Sequence, residues 1–196
     1  MLGWRRSVGA LVVCVGLVAC GQTNSSPPPA PAPTSWTDPS GRVTLTIPAD
    51  WREYDVASAP GPVIGNELAI FAPTEAEPRA QCALSITPQA VEEPATPAAT
   101  RALLNEATDA LREAPFMMAY RSSGYASRVD LNEINGIRVL DIRGAPGALS
   151  TYERRFFFAA NGTLELYTLA CSAHAEDQTA RLGANALANS LQIQDR

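Results

Sequence analysis

Apolar and polar residues alternate at the start of the structured part of the chain. Val43, Leu45 and Ile47 alternate with polar residues, which is the period of a strand with one buried face. Two further apolar runs, residues 67–73 and 82–88, each end on a proline, and the polar stretch between them is typical of a surface loop. The pattern predicts three short strands in succession.

After Thr96 the spacing of apolar residues changes from two to three and four. Thr96 is a candidate helix N-cap, and Pro97 follows at the first helical position, where its missing N–H is not needed. The pattern predicts an amphipathic helix of about fifteen residues that ends before Pro115. Its apolar positions are Leu103, Leu104, Ala107, Leu111 and Ala114.

Two Asn-Gly pairs indicate tight turns in the second half of the chain. Asn135-Gly136 and Asn161-Gly162 each separate two strand-like runs. Both residues of such a pair tolerate a positive φ, so each pair predicts a two-residue hairpin. The strands of the second hairpin are apolar without clean alternation, which is typical of strands covered on both faces.

Residues 175–191 have the spacing of a second helix. Gly183 lies within it and permits close approach of a neighbouring element. Its apolar stripe consists of Ala180, Ala184, Leu187 and Leu191.

The order of the predicted elements is strands, helix, four strands and helix. Consecutive hairpins make the sheet mostly antiparallel, and two helices on a sheet with two apolar faces favour one helix on each face. The sequence therefore predicts an α+β fold with a sheet of about six to seven strands and helices on both faces. The chain length favours one globular domain, over residues 41–196.

Methionine and tyrosine cluster in residues 116–125. Met117, Met118, Tyr120 and Tyr125 follow the first helix directly, so we expect them to begin a strand and to join the core. An adaptable apolar groove lined by the methionines is the alternative interpretation.

The N-terminus has the order of a secretory signal peptide, which we assign to residues 1–19. Arg5 and Arg6 precede an uncharged stretch, residues 7–19, which ends in small side chains. This stretch is too short for a membrane-spanning helix, which needs about twenty apolar residues. A signal anchor remains the alternative interpretation.

The end of this segment, Leu17-Val18-Ala19-Cys20, resembles the lipobox of bacterial lipoproteins. In that family the cysteine thiol is alkylated with diacylglycerol, the signal is cleaved before the cysteine, and the new amino terminus is usually acylated. The resemblance implies a lipid anchor at Cys20, and two or three acyl chains give stable attachment. Gly21 in place of aspartate implies the outer membrane, at its periplasmic face, in preference to the inner membrane.

The segment after Cys20 is rich in Pro, Ser and Thr and poor in large apolar side chains. Such a composition cannot bury enough surface to offset the entropy of ordering the chain. We therefore expect residues 20–40 to be the lipidated cysteine and an extended tether.

The charge of the chain argues against nucleic acid as a partner. All fifteen basic residues are arginines, against twenty acidic residues, and removal of Arg5 and Arg6 with the signal leaves thirteen against twenty. Phosphate binding needs a concentrated basic face. The one adjacent pair in the body, Arg154-Arg155, points to opposite faces of its predicted strand.

Cysteine use leaves one natural pair. Cys14 lies inside the signal and Cys20 at its end, so Cys82 and Cys171 remain in the body. In an oxidising, exported compartment these two are expected to form a structural disulfide. Two separately buried thiols are the alternative.

The sequence contains no recognisable catalytic or cofactor motif. His174 is the single histidine, with Glu176 and Asp177 nearby, and a zinc site needs three or four ligands. Those acids fit the first turn of the second helix. No G-x-S-x-G, phosphate loop or dinucleotide motif is present. We therefore expect no enzyme activity, no metal and no cofactor.

Residues 41–51, "GRVTLTIPADW", the two Asn-Gly hairpins and the terminal "ANSLQI", residues 188–193, resemble the PsbP and Mog1-like superfamily. The resemblance spans residues 36–196 and implies an α/β/α sandwich. Members of this superfamily are mostly non-enzymatic and bind or stabilise other proteins.

The sequence thus favours a lipid-anchored envelope lipoprotein with a non-enzymatic protein-binding or accessory role, whose partner is an envelope protein. A carrier of a small ligand or lipid, with a pocket between sheet and helix, is the second hypothesis. A hydrolase is the third, and it requires serine, histidine and an acid to converge.

Overall fold

The computed structural model describes residues 32–59, 66–75 and 77–194. The predicted signal peptide, Cys20 and the predicted tether up to residue 31 lie outside the described residues. Within the part of the chain that is described, no helix is long and apolar enough to cross a membrane.

The described residues form ten strands, three α-helices and one short 3₁₀ turn, Val56–Ser58. The strands are β1 (Thr34–Thr37), β2 (Val43–Ile47), β3 (Trp51–Tyr54), β4 (Glu67–Pro73), β5 (Ala80–Ala90), β6 (Arg128–Ile134), β7 (Ile137–Gly144), β8 (Leu149–Ala160), β9 (Thr163–His174) and β10 (Gln192–Ile193). The helices are α1 (Pro97–Glu113), α2 (Pro115–Ser122) and α3 (Gln178–Asn189).

Seven strands form the main sheet in the order β3-β4-β5-β9-β8-β7-β6, with antiparallel pairing throughout. A small second sheet has the order β1-β2-β10. Helix α3 packs on β5, β8 and β9, whereas α1 packs on β7 and β8. The side chains of each strand alternate between the two faces of the sheet, and α1 and α3 cover opposite faces. The predicted α+β fold with helices on both faces is confirmed.

The face of the main sheet that α3 covers, called the α3 face, carries the larger core. Phe156, Tyr167 and Leu169 of the sheet are fully buried there together with Leu187 of α3. Gly183 brings α3 close to the sheet, since a Cβ on it would lie 2.6 Å from Trp51 Nε1. The predicted close approach at this glycine is confirmed.

The opposite face, called the α1 face, carries a smaller core. Leu140 and Ile142 of β7 are buried against Met117 of α2, with Leu111 of α1 packed at the edge. This cluster lies over β6 and β7, so the helical cover on the α1 face sits toward one edge of the sheet.

Short-range signals in the sequence were reliable. Thr96 caps α1, because its Oγ1 accepts a hydrogen bond from the Ala99 N–H at 3.1 Å. Asn135 and Asn161 have φ of 50° and 51°, as a two-residue turn with positive φ requires. Both hairpins are confirmed.

The predicted end of the tether at residue 40 differs from the structure. Thr34–Thr37, within that stretch, form β1 and pair with β2. The ring of Trp36 meets the ring of Phe71 edge-on at a centroid distance of 5.4 Å. A single large aromatic residue between β-favouring threonines gives this segment enough apolar surface to join the fold.

The segment after α1 is a helix and not the start of a strand, so that expectation was wrong. Ala114 leaves the helical conformation, with φ −57° and ψ 142°, and Pro115 then begins α2. Helix α1 ends before Pro115, as predicted. The same proline occupies the first position of α2, where its missing N–H is not needed. Two further strands, β3 and the short β10, were not predicted either.

Candidate functional site

An open apolar groove runs between α1 and the main sheet on the α1 face. Its volume is about 410 Å³. One wall is the flank of α1, and the floor comes from β8 and β9, with the end of β5 at the rim. The apolar residues that define it are Leu103, Ala107 and Leu111 on α1 and Phe157, Leu164 and Leu166 on the strands.

Strand register assembles the floor. Leu166 of β9 pairs with Phe157 on one side and with Thr87 on the other. Residues paired across antiparallel strands point to the same face, so these side chains form one row beneath α1. Leu164 lies two residues earlier on β9 and opposite Gln89, and it extends the same row.

The groove stays open because α1 packs on β7 and β8 and not centrally over β9 and β5. On β5 the residues that face this side are short or polar, which gives a helix little apolar surface to bury. These residues are Ala83, Ser85, Thr87 and Gln89. On α1 the small side chains of Ala107 and Ala110 leave further space beside the floor.

Polar side chains lie at the rim of the groove. Thr87, Gln89 and Glu106 are exposed, whereas Leu164 and Phe157 on the floor are buried. An apolar floor with a few polar groups at its edge is the arrangement of ligand pockets, whose volumes range from about 300 to 1,000 Å³. The groove can therefore bind an apolar group and orient it through its rim.

His174, the one histidine, lies at the far end of β9 from the groove. It is exposed and pairs with Leu149, and its backbone N–H donates to the Arg79 carbonyl at 2.9 Å. Leu164, by contrast, lies next to the Asn161-Gly162 turn at the opposite strand end. Among the described residues, no group of three His, Cys, Asp or Glu side chains could hold a metal ion.

Cys82 and Cys171 form a disulfide, so the predicted pairing is confirmed. They lie directly opposite each other on β5 and β9, with the Cα atoms 4.0 Å apart. Cys82 Sγ lies 3.9 Å from the carbonyl oxygen of Ala184 on α3. The bond therefore belongs to the α3 face, on the other side of the sheet from the groove.

The adjacent arginines of β8 point to opposite faces, as predicted. Arg154 lies on the α3 face, where its Nε donates to Asp141 Oδ1 at 3.0 Å and its Nη1 to the Ala188 carbonyl at 2.9 Å. Arg155 lies on the α1 face, where it donates to Glu153 Oε2 at 2.7 Å and to the Tyr120 hydroxyl at 3.1 Å. Each arginine ties a helix to the sheet.

Asp141 is the most buried carboxylate of this arrangement, at 2% exposure. It accepts hydrogen bonds from Arg154 and from Asn132 Nδ2, so its charge is compensated. Tyr152 stands beside Asp141 and Arg154. Burial raises the pKa of Tyr152, and the positive charge of Arg154 partly opposes this. Through Arg154, these hydrogen bonds connect the C-terminal end of α3 to β7 and β8.

The methionines and tyrosines after α1 do not line the groove. Met117 is buried at 1% exposure, as expected for a core residue, but Met118 is 73% exposed. Tyr120 is half-buried and Tyr125 is 40% exposed. The expected core role is therefore correct for Met117 and wrong for Met118 and Tyr125.

Sequence patterns did not reveal the groove. Leu103, Ala107 and Leu111 read as the core-facing stripe of α1, and the floor residues read as strands covered on both faces. The signal that could have shown it is the polar alternation of residues 83–89, which predicts that one face of β5 lacks helical cover.

No family model matches the chain, and no curated protein matches it. Among solved structures, the chain is similar to LpqN, a protein involved in cell envelope biogenesis of Mycobacterium tuberculosis. The two sequences are 16% identical, and the TM-score of the superposition is 0.49. The similarity covers 84% of this chain and 91% of LpqN. It is also similar to the cyanobacterial PsbP protein CyanoP of Synechocystis sp. PCC 6803, at 14% identity and a TM-score of 0.43, over 91% and 99% of the two chains.

A third similar structure comes from Bacteroides thetaiotaomicron, at 8% identity and a TM-score of 0.41, over 83% of this chain and 48% of that one.

Proposed function

We propose that this protein is a lipid-anchored protein of a bacterial envelope that acts by binding and not by catalysis, and that the groove along α1 is its binding site. The observation that carries the proposal is the exposed, preformed apolar groove on a face that α1 covers only in part. The anchor rests on the resemblance of residues 17–20 to a lipobox.

The groove suits an apolar segment of an envelope protein. From Leu103 to Leu111 the wall runs eight residues along α1, which corresponds to about 12 Å. The groove is open along its side, so a partner can enter without unfolding any described element. A short helix or an extended strand could lay two or three apolar side chains on the floor, as in other helix-and-groove interfaces.

The side chains that face the groove support binding and not hydrolysis. Glu106, at the rim, is the one carboxylate that lines it, and Thr87 is the one hydroxyl at the end of β5. A hydrolase needs a nucleophile and a base within hydrogen-bond reach of each other. His174, the only available imidazole, lies at the opposite strand end.

A carrier of a small apolar ligand or lipid is the second candidate. The volume of about 410 Å³ favours it, since small-molecule pockets fall in this range. In this case the ligand would fill the groove and keep its polar group at the rim near Gln89 and Glu106.

A pair of matched variants tests the site. Ala110 is exposed on α1 and lines the groove, so Ala110→Trp fills it with an indole without disturbing the core. Ala186 is exposed on α3, on the other face, and Ala186→Trp adds the same side chain there. We expect Ala110→Trp to fold normally and to lose the bound molecule, while Ala186→Trp keeps it.

The measurement is in-cell photo-crosslinking from position 107, followed by mass spectrometry of the adducts, with native mass spectrometry of the purified protein for a small ligand. An envelope protein cross-linked in the wild type and lost only in Ala110→Trp supports the first candidate. A co-purified apolar molecule with the same dependence supports the carrier. If both variants keep every adduct and ligand, the groove is not the site.

The anchor has a separate test. Cys20→Ser should abolish acylation and leave the precursor uncleaved, which the intact mass reports directly. If the variant has the same mature mass as the wild type, apart from the substituted atom, Cys20 carries no lipid. Fractionation of inner and outer membranes then tests the outer-membrane assignment that Gly21 favours.

A further inference from the structure

Beside α1, two strands of the main sheet lie uncovered on the α1 face. Arg138, near the start of β7, pairs with Asp109 on α1 at 3.0 Å. Leu111, further along α1, packs against the cluster that contains Leu140, further along β7. The helix therefore runs along β7 and β8 and leaves most of β9 and β5 open. We call the side chains that β5 and β9 present there the open strip, which consists of residues 83, 85 and 87 with residues 166, 168 and 170.

The open strip has the width of one helix. On its far side the short turn Val56–Ser58 packs on β4, and Ile70 of β4 is fully buried. Because neighbouring strands lie about 4.8 Å apart, the middle of the strip lies about 10 Å from the middle of the pair β7 and β8 beneath α1. The axes of packed helices are about 8 to 10 Å apart. A second helix can therefore lie over β9 and β5 in direct contact with α1, with its apolar side in the groove.

Short side chains let a helix approach this surface closely. Apart from Leu166, the side chains of the open strip are those of alanine, serine and threonine. Ala107 and Ala110 are also short, and they form the flank of α1 that faces the strip. The apolar contact comes from the floor of the groove, Phe157, Leu164 and Leu166. Because the strip adds little apolar area of its own, such a helix binds reversibly and is not a permanent part of the core.

A partner strand fits poorly, because the edge of β5 lacks a donor beside the groove. The pairing of β5 with β4 ends at Ser85, and among the described residues no strand pairs with that side of β5 beyond it. The Ile86 N–H points to that side, where it donates to the Asn66 carbonyl at 3.4 Å. By alternation Pro88 faces the same side, and proline has no N–H. A strand added to this edge would lose a hydrogen bond near its centre.

An extended segment that lies above the sheet, in the groove itself, fits poorly as well. The floor presents the side chains of Phe157, Leu164 and Leu166, which offer no hydrogen bonds to a neighbouring backbone. Backbone groups that are buried there without partners cost free energy. A helix pairs these groups internally and presents only side chains to the floor. Of the regular conformations, the helix is therefore the one that the groove accepts at the lowest cost.

The charge around the groove indicates a basic partner. Glu106 is the one charged side chain among the described residues that line the groove. Glu93 lines a small cavity at the end of the groove, which shares Val91 with it. Neither carboxylate forms an ion pair within the part of the chain that the structure describes. An anionic lipid head group would meet like charge here, whereas a lysine or arginine would meet opposite charge.

We propose that the occupant of the groove is an amphipathic helix of an envelope protein, which lies beside α1 over β9 and β5. Its apolar stripe contacts the floor of the groove and the flank of α1, and a lysine or arginine at the edge of that stripe pairs with Glu106. This inference rests on the function proposed above, since it names the kind of partner that the groove binds.

The test maps photo-crosslinks of the full-length protein in its host cells. A small diazirine amino acid replaces Thr87, Gln89 or Ala107 at the groove or, as the control on the other face, Ala186. Mass spectrometry of the digested adducts identifies which residues of the partner are reached. We expect the three groove positions to reach one segment at residues three, four or seven apart, as on one side of a helix. Position 186 should reach none of them.

Charge is tested with the mapped segment as a synthetic peptide. Glu106→Arg should weaken its binding about fivefold, because an attraction becomes a repulsion, and Glu176→Arg, at an exposed carboxylate before α3, should leave binding unchanged. Exchanging the basic residue of the peptide for glutamate should restore its affinity for Glu106→Arg. An unchanged affinity of Glu106→Arg, or no rescue by the exchange, would overturn the basic helix.

Pro88→Val separates a helix from a strand, since it restores an N–H at the edge of β5. It should leave the binding of a helix unchanged and tighten that of a strand. Tighter binding, or crosslinks at every second residue of the partner, would refute the helix and keep the groove as a binding site. Adducts with lipid alone, or with a second copy of this chain, would do the same. If positions 87, 89 and 107 give no adduct, the groove is not the site, and the proposed function fails with this inference.

Discussion

The two faces of the main sheet are built from similar elements but differ in how completely they are covered. On the α3 face, one helix and the small sheet β1-β2-β10 bury an aromatic core, the disulfide and a compensated charge network. On the α1 face, two helices cover β6 to β8, and a groove stays open beside them. The larger buried core lies on one face, and the open apolar groove lies on the other.

This difference separates two demands that conflict on a single surface. A closely packed core tolerates few changes, because a lost methylene leaves a cavity and an added one causes strain. A binding surface must remain partly empty and must be free to change. Segregating the two on opposite faces lets the groove vary without weakening the larger core.

The largest effect is expected from truncating the α3 core. Leu187 is fully buried, so Leu187→Ala should lower the free energy of unfolding by about 3 to 4 kcal/mol. Leu111 on α1 is only half-buried, and Leu111→Ala should cost about 1 kcal/mol. Urea unfolding monitored by tryptophan fluorescence measures both. Equal losses would show that the two faces contribute alike.

Removal of the disulfide should cost slightly less. Cys82→Ala with Cys171→Ala opens a bond that links residues 89 apart, and loss of the restraint on the unfolded chain should cost about 3 kcal/mol. Binding in the groove should persist wherever the variant is folded, because the bond lies on the other face. A variant that unfolds as the wild type does, at the same urea concentration, would contradict the structural role.

Gly183 tests how tightly α3 is packed. In Gly183→Ala the new methyl would lie 2.6 Å from Trp51 Nε1, and the strain should exceed the gain in helix propensity, for a net loss of about 1 to 2 kcal/mol. Adding Trp51→Phe makes room and should reduce the penalty of the alanine, as a double-mutant cycle would show. Additive effects would mean that the two residues do not contact.

A smaller effect is expected at the start of α1. Thr96→Ala removes the hydrogen bond to the Ala99 N–H and should cost about 1 kcal/mol, while Thr96→Ser should restore most of it. Because Thr96 caps the first turn of α1, amide hydrogen exchange should rise in that turn. Unchanged exchange there would show that the cap is not needed.

The smallest effect is a pH dependence confined to the α3 face. Burial raises the pKa of both Tyr152 and Tyr167 above the ordinary value of 10.0. The unfolded chain then releases these protons first, so stability is fully present below pH 10 and declines as the pH rises through the folded-state pKa values. Urea midpoints above pH 10 should fall less in Tyr152→Phe than in the wild type. An equal fall would remove Tyr152 as a contributor.

Much of the fold was predictable because its signals are short-range. The cap at Thr96, the turn at Asn135-Gly136 and the stripe of α3 each depend on neighbours within four residues. Where a signal depended on distant contacts, prediction failed. Trp36 looked like part of a proline-rich tether because its partner, Phe71, lies on another strand.

The disulfide and the groove show two different limits of the sequence. Cys82 and Cys171 could be paired by elimination, because only two cysteines remain in the body of the chain. The groove could not be found in this way. Leu164 and Leu111 are apolar residues in either case. Their identity does not show whether another element covers them or whether they line an open groove.

The sequence by itself determined α1, α3 and the longer strands, the hairpin turns, the pairing of the cysteines and the α+β class, since these follow from local conformational preference and from composition. Only the tertiary structure decided which apolar surfaces are covered by another element and which stay exposed to solvent. The hydrophobic effect is non-directional, so it favours burial without specifying the partner. The position of α1 over β7 and β8, and not over β9, is what leaves the groove open.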